Sequence, residues 1–218
     1  MGHSHGKIVA PTAAGIARAV DALRAGALIG LPTETVYGLA GDAADGAAVA
    51  RIFAAKARPR FNPLICHILD EEGASALARF TPPAQALAAR FWPGPLTLVL
   101  PRRAGAPVHD LVCAGLETIA VRAPAHKVAR AVLAAFGRAL AAPSANRSGH
   151  LSPTHAAHVI ADLGAAVALV LDGGACPVGL ESTVVEVGTA ALYLLRPGTI
   201  DADALEDAAG LPVRAACG

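Results

Sequence analysis

Short apolar runs alternate with helix-length amphipathic stretches along nearly the whole chain, and this alternation limits its fold more than any other feature. Residues 12–25 place Ile16, Val20 and Leu23 on one face at helical spacing, with Gly26 as a stop. Ala27 to Leu31 is too short for that period and reads as a buried strand ended by Pro32, and a turn leads into a second strand through Tyr37–Ala40. Residues 45–57 read as a helix with Val49, Ile52 and Phe53 turned inward; Pro59 disfavours helical geometry at Arg58 and stops it. The pattern continues with a strand at 64–69, helices at 71–80 and 83–91, strands at 96–100 and 118–121, a helix at 126–136 and a short strand at 140–142. Ser152-Pro153 reads as the N-cap and first residue of a helix running to about Leu163. Strands at 167–171, 183–187 and 191–195 and a helix at 202–209 complete it. This order predicts an α/β fold with a mixed sheet. A length of 218 residues, 54% of them apolar, supports one core, and no long Gly-, Ser- or Pro-rich linker interrupts the alternation, so one domain over 1–218 is expected, with residues 1–10 as a flexible N-terminus.

Charge and cysteine usage narrow the function classes. With 18 Lys+Arg against 17 Asp+Glu the formal net charge is +1, whereas binding nucleic acid through bulk electrostatics calls for a clear basic excess. Cys66, Cys113, Cys176 and Cys217 are far apart, without a C-x-x-C pair or zinc-finger spacing, which suits reduced thiols in the cytoplasm. The start, Met1-Gly-His-Ser-His-Gly6, lacks the apolar core of a secretory signal; His3 and His5 read as a floppy or added terminus. Apolar stretches are broken well short of a membrane span.

Polar groups gather where strands end, the places a sheet holds binding residues fixed. Pro32-Thr-Glu-Thr-Val-Tyr-Gly38 sets two hydroxyls and a carboxylate between apolar strands, and taken alone is a tight turn. In Lys56-Ala-Arg58-Pro-Arg60-Phe-Asn62-Pro63 the helix ends between Lys56 and Arg58, so the two cations can converge on a polyphosphate; a solvated basic helix end is the simpler reading. His67 lies in an apolar strand, where a satisfied core histidine is commoner than a catalyst. Ala142-Pro-Ser144-Ala-Asn146-Arg-Ser148-Gly149 offers hydroxyls, an amide and backbone N–H groups suited to an anion. Asp172-Gly-Gly174, Gly179-Leu-Glu-Ser182 and Arg196-Pro-Gly198 each read as turns or strand ends. No Walker A loop, G-x-S-x-G elbow or H-E-x-x-H pair is present, so ATP would need another kind of cradle.

Taken together, PTETVYGL, KARPRFNPL with its following histidine, FWPGPLTLVL, TIAVRAP, APSANRSG, DGG…ESTVVEV and LLRPG resemble, in that order, the YrdC/Sua5 family of L-threonylcarbamoyladenylate synthases. The resemblance runs from about Gly26 to Gly198. It implies a twisted open mixed sheet with flanking helices around a large concave cavity. It also implies a reaction of L-threonine, bicarbonate or CO₂, and ATP to threonylcarbamoyl-AMP and pyrophosphate, for threonylcarbamoyladenosine at tRNA position 37. By resemblance, Thr35, His67, Arg122, the backbone at Ala142 and the Ser182 hydroxyl form the L-threonine site. Lys56, Arg58, Asn62, Thr118, Ser144, Asn146, Ser152 and Arg196 form the ATP site, with Lys56 and Arg58 catalytic. Mg²⁺ is expected to arrive with ATP, with no metal site of the protein's own, and the product to pass in transient contact to a tRNA threonylcarbamoyl transferase. No stable tRNA complex is expected at net charge +1, and no membrane partner. Because the chain ends 22 residues after Arg196, it resembles the short, single-domain form. The alternatives are an RNA-binding module of the same fold without catalysis, a carbamoyl-transfer module of the hydrogenase-maturation kind, and a generic amino-acid adenylating enzyme.

Overall fold

The first helix shows how local chemistry sets the elements: the Thr12 hydroxyl accepts a hydrogen bond from the Gly15 amide (3.2 Å), and α1 runs Ala13–Arg24 with Val20 and Leu23 buried. The structure, a computed structural model, describes residues 7–215. The strands are β1 (Lys7–Val9), β2 (Ile29–Leu31), β3 (Gly38–Asp42), β4 (Ile65–His67), β5 (Leu96–Pro101), β6 (Thr118–Arg122), β7 (Leu140–Ala141), β8 (Leu169–Leu171), β9 (Thr183–Val187), β10 (Leu192–Arg196) and β11 (Val213–Ala215). Between them stand α2 (Gly46–Lys56), α3 (Glu71–Leu77), α4 (Pro82–Phe91), α5 (Lys127–Phe136), α6 (Ala156–Leu163) and α7 (Ala202–Ala209).

The strands join in one mixed sheet, ordered β1-β8-β2-β3-β7-β4-β6-β5-β9-β10-β11. Side chains alternate faces along a strand, and the two cores follow that alternation. Ile29, Leu31, Ala40, Leu140, Leu169 and Leu171 pack with α1 and α5 on one face. Leu39, Ala141 and Val170 point the other way, into a larger core with α2, α3, α4, α6 and α7. Slipping any of these strands by one residue would exchange the two sets, so burial on both faces fixes the register.

Three expectations are corrected. Lys7–Val9 are not a flexible lead-in: they form β1, parallel to β8, with Lys7 opposite Leu169 and Val9 opposite Leu171. Residues 1–6, with His3 and His5, lie outside the described residues. The helix expected from Ser152 begins only at Ala156, after His155. The Ser152 hydroxyl donates instead to Glu181 (2.9 Å), and the Pro153 carbonyl accepts from the Tyr37 amide (2.8 Å), so tertiary partners hold this stretch extended. Finally, β11 forms after α7, by pairing parallel to β10.

Among the described residues no helix is long and apolar enough to cross a membrane. Cys66, Cys113 and Cys176 are buried free thiols, and Cys217 lies outside the described residues.

Candidate functional site

Loops at several strand ends close on a cleft of about 530 Å³. Residues 33–37 join β2 to β3, His67 and Arg122 end the parallel strands β4 and β6 side by side, residues 142–146 follow β7, Ser182 precedes β9, and Arg196 ends β10. Backbone bonds lock the loops to one another: Leu39 N–H to Pro143 O (2.7 Å), Ala145 N–H to Tyr37 O (2.8 Å) and Gly179 N–H to Thr35 O (3.0 Å). A Cβ on Gly198 would sit 2.4 Å from the Thr183 nitrogen, so only glycine lets the chain after Arg196 pass the start of β9.

One wall of the cleft is built around Arg122, which is 3% exposed. Its Nε donates to Gly94 O (3.2 Å), Nη1 to Thr35 Oγ1 (2.9 Å) and Nη2 to Glu34 Oε1 (2.5 Å). The other Glu34 oxygen accepts from the Ala125 and His126 amides (3.0 and 3.3 Å) at the start of α5. Three of the five guanidinium N–H groups are thereby used, and two remain for a ligand carboxylate. Ala142 and Ser182 line the same cleft, and the Ser182 hydroxyl lies 2.8 Å from that of Thr97.

His67 also lines this wall, and its Nδ1 is buried without a hydrogen-bond partner. Such an orphan is costly unless something supplies a partner. Burial, reinforced by the charge of Arg122, pushes the His67 imidazole down to about 3. The unfolded chain, with an ordinary histidine near 6.5, therefore takes up the proton first. Stability from keeping His67 neutral is present above about pH 6.5 and is lost as the pH falls toward 3. We expect the wild-type melting temperature to fall on acidification through this window more steeply than that of His67→Gln. Parallel curves would show that the imidazole is not held neutral.

A second group of lining side chains is cationic. Arg58 donates to the Asn62 and Pro63 carbonyls (3.3 and 3.1 Å) and faces the cleft. Arg196 donates from Nε to Ser182 O (3.0 Å), from Nη2 to Ser182 Oγ (2.9 Å) and from Nη1 to the Glu181 carboxylate. Burial pushes the Glu181 carboxyl up, but Arg196, the hydroxyls of Ser152 and Ser144, and Lys56 more than reverse this and leave it below the usual range.

Lys56 departs from the sequence expectation. The αL residue Ala57 (φ 49°) closes α2 and turns the chain between Lys56 and Arg58, whose side chains then find different protein partners. Lys56 is 2% exposed and lies beneath the 142–146 loop rather than in the cleft wall. Its ammonium donates to Ser144 O (2.5 Å), Asn146 O (2.5 Å) and Asn146 Oδ1 (3.3 Å), which engages all three N–H groups. The Asn146 amide donates in turn to Arg147 O and His150 O (3.1 and 2.7 Å), so Asn146 also braces the loop. Ser144 lines the cleft, and Ser152 reaches it through Glu181. Asn62 is exposed and outside the lining, and Thr118 sits at the far end of β6 from Arg122, four residues or about 13 Å away. Sequence reasoning gave no role to Glu34 or Glu181, the two carboxylates that pair with the arginines.

Comparison with known proteins gives the family. The Sua5_yciO_yrdC family model, described as "Telomere recombination", matches residues 21–198. The chain is 47% identical over 189 residues to a threonylcarbamoyl-AMP synthase of Pyrococcus abyssi (86% of this chain, 55% of that protein). It is 46% identical over 199 residues to one of Bacillus subtilis (89% of this chain, 56% of that protein). It superposes on the crystal structure of P. abyssi Sua5 complexed with L-threonine with a TM-score of 0.87 at 45% identity, covering 92% of this chain and 59% of that one. The chain thus spans a little over half the length of these relatives. The family model over residues 21–198, the identity to these relatives and the shared three-dimensional fold place this chain in the Sua5/YciO/YrdC family.

Proposed function

We propose that the cleft makes threonylcarbamoyl-AMP from L-threonine, bicarbonate or CO₂, and ATP, releasing pyrophosphate, and water as well when the carbon comes from bicarbonate, in the cytoplasm. The observation that carries this reading is two unlike sets of donors lining one cleft. One offers spare Arg122 N–H groups, the Thr35 hydroxyl and an orphaned His67 nitrogen; the other presents Arg58, Arg196 and serine hydroxyls. The first suits an amino acid with a hydroxyl, and the second suits a polyphosphate. The relatives named threonylcarbamoyl-AMP synthase and the Sua5 complex with L-threonine support the same assignment.

The chemistry asks for no protein nucleophile. The threonine amine adds to CO₂ and loses a proton to give a carbamate. A carbamate oxygen then attacks the α-phosphorus, and the bond to pyrophosphate breaks. Arg122 orients the amino acid, while Arg58 and Arg196 offset charge on the phosphates. Neutral His67 serves as a hydrogen-bonding wall, since burial keeps it from charging. Mg²⁺ would enter with ATP. Among the described residues no three His, Cys, Asp or Glu side chains stand together to chelate an ion, whereas Glu181 and the Ser144 and Ser152 hydroxyls are oxygen donors of the kind a phosphate-bound Mg²⁺ accepts. The product, a mixed anhydride, would pass to a separate transferase acting on tRNA.

Mass spectrometry of the product formed with ¹³C-bicarbonate tests the reading. We expect threonylcarbamoyl-AMP carrying one labelled carbon, with pyrophosphate release that requires threonine, bicarbonate and ATP together. Unlabelled threonyl-AMP, formed without bicarbonate, would identify an amino-acid adenylating enzyme instead. Tight, salt-insensitive tRNA binding with no turnover would identify a binding module.

A further inference from the structure

The two arginines of the cleft are each paired with a carboxylate, but the pairs are built differently. Glu34 is clamped. Its side chain is 11% exposed, and both of its oxygens are held, one by Arg122 and the other by two backbone amides. Glu181 is held by side chains alone, Arg196 and Ser152 in the hydrogen bonds and Ser144 beside them, and its side chain is 31% exposed. The groups that grip Glu181 are donors; Arg196 and Ser144 line the cleft, and Ser152 stands behind the carboxylate.

Arg196 does not depend on Glu181 for its aim. Its Nε and Nη2 are fixed by the carbonyl and hydroxyl of Ser182, so removing the carboxylate frees Nη1 without releasing the guanidinium. A carboxylate in this position is not needed to aim Arg196, yet it holds the donors an anionic ligand needs.

We propose that Glu181 is an internal competitor for the phosphate cradle: its carboxylate occupies the donors of Arg196 and Ser152 until a polyphosphate displaces it, and it thereby lowers the affinity of the cleft for that anion. This rests on the reading of the cleft as a nucleotide site. The half-exposed side chain has solvent to swing into, which the buried Glu34 lacks. With Glu181 displaced, the phosphate inherits a fork already oriented by Ser182 beside the Ser144 hydroxyl, a preorganised site whose ordering is done before binding. Weak ground-state binding of the polyphosphate also favours turnover over retention of pyrophosphate.

The test is calorimetric titration of inorganic pyrophosphate, in metal-free buffer, into wild type and Glu181→Gln. The glutamine keeps the shape and removes the charge. We expect the variant to bind about tenfold more tightly, equivalent to about 1.4 kcal/mol. Equal or weaker binding by a variant that melts like wild type would show Glu181 to be a brace for Arg196 and would overturn the proposal. Should Glu181→Gln fold poorly, wild type alone decides the matter through a crystal structure with bound pyrophosphate. We expect the carboxylate more than about 4 Å from the Arg196 guanidinium, beyond ion-pair range; a pair still closed over bound pyrophosphate would overturn the idea. A wild type that binds neither pyrophosphate nor ATP would remove the nucleotide reading itself, and this proposal with it.

Discussion

Arg122→Ala is expected to lose both stability and turnover, because the one side chain serves two ends. The substitution leaves Glu34 with a buried charge facing no cation. Breaking a buried pair from one side costs about 3–5 kcal/mol, and at about 2–4 °C per kcal/mol for a domain of this size the melting temperature should fall by roughly 10 °C. Turnover should fall below detection, since the Thr35 hydroxyl loses its donor and the ligand carboxylate its fork. The two effects can be separated. Replacing the pair together, as Glu34→Gln with Arg122→Met, removes both charges and should recover most of the melting temperature but none of the activity. Arg122→Lys keeps the charge while giving up the planar fork, and should raise the KM for threonine far more than that for ATP. An alanine variant that melts within about 2 °C of wild type would mean that Glu34 is not dependent on this arginine.

Lys56→Ala should cost roughly a hundredfold in rate, and the structure alters the reason. The sequence suggests a charge pressed against phosphate. The structure has the ammonium binding two carbonyls and an amide oxygen of the loop that carries Ser144, so its loss leaves those acceptors buried and unmatched, at about 1–3 kcal/mol each. Lys56→Ala is thus expected to lower the melting temperature as well as the rate. Arg58→Ala, whose side chain faces the cleft, should lower the rate and leave melting nearly unchanged. A second signature comes from pH. Burial, with the Arg58 charge nearby, lowers the Lys56 ammonium from 10.5 to about 8. Between those values the unfolded chain holds a proton that the folded one has released, so the Lys56 contribution to stability rises with pH while the loop loses a donor. Wild-type rate should therefore fall above about pH 8 as stability, measured relative to Lys56→Met, increases. If rate and stability move together, the lysine does not act through the loop.

These two residues show what the sequence discloses about this site. The elements were largely legible, because burial on both sheet faces leaves apolar runs that end at glycine or proline, as α7 at 202–209 shows residue for residue. The order of the motifs was enough to gather Thr35, His67, Arg122, Ser182 and Arg196 around one cleft. Direction within a motif was not legible. The spacing of Lys56 and Arg58 gives no notice that Ala57 adopts a left-handed conformation, which sends one cation under the loop and the other into the cleft. Nor could Glu34 be recognised as the partner of an arginine 88 residues away. Ser152 misled for a related reason: Ser-Pro is strong local chemistry for a helix start, and it was overridden by Glu181 and Tyr37, which only the fold brings near. Strands of three residues such as β1 and β11 are too short to show a period and exist because a neighbouring strand accepts them.

The strand order has a consequence for synthesis. β1 is made long before its partner β8, and β5 must wait for β9 to complete its other edge. β2 can pair with β3 soon after both leave the ribosome, but at about 5–20 residues per second the interval from Val9 to Leu169 lasts roughly 8–32 s. Throughout that time Ile8 and Val9 have no strand to lie against, and Leu31 lacks the leucines of β8 that cover it in the finished sheet. The nascent chain therefore carries exposed apolar edges at β1 and β2 until β8 is made, the kind of surface a ribosome-associated chaperone holds.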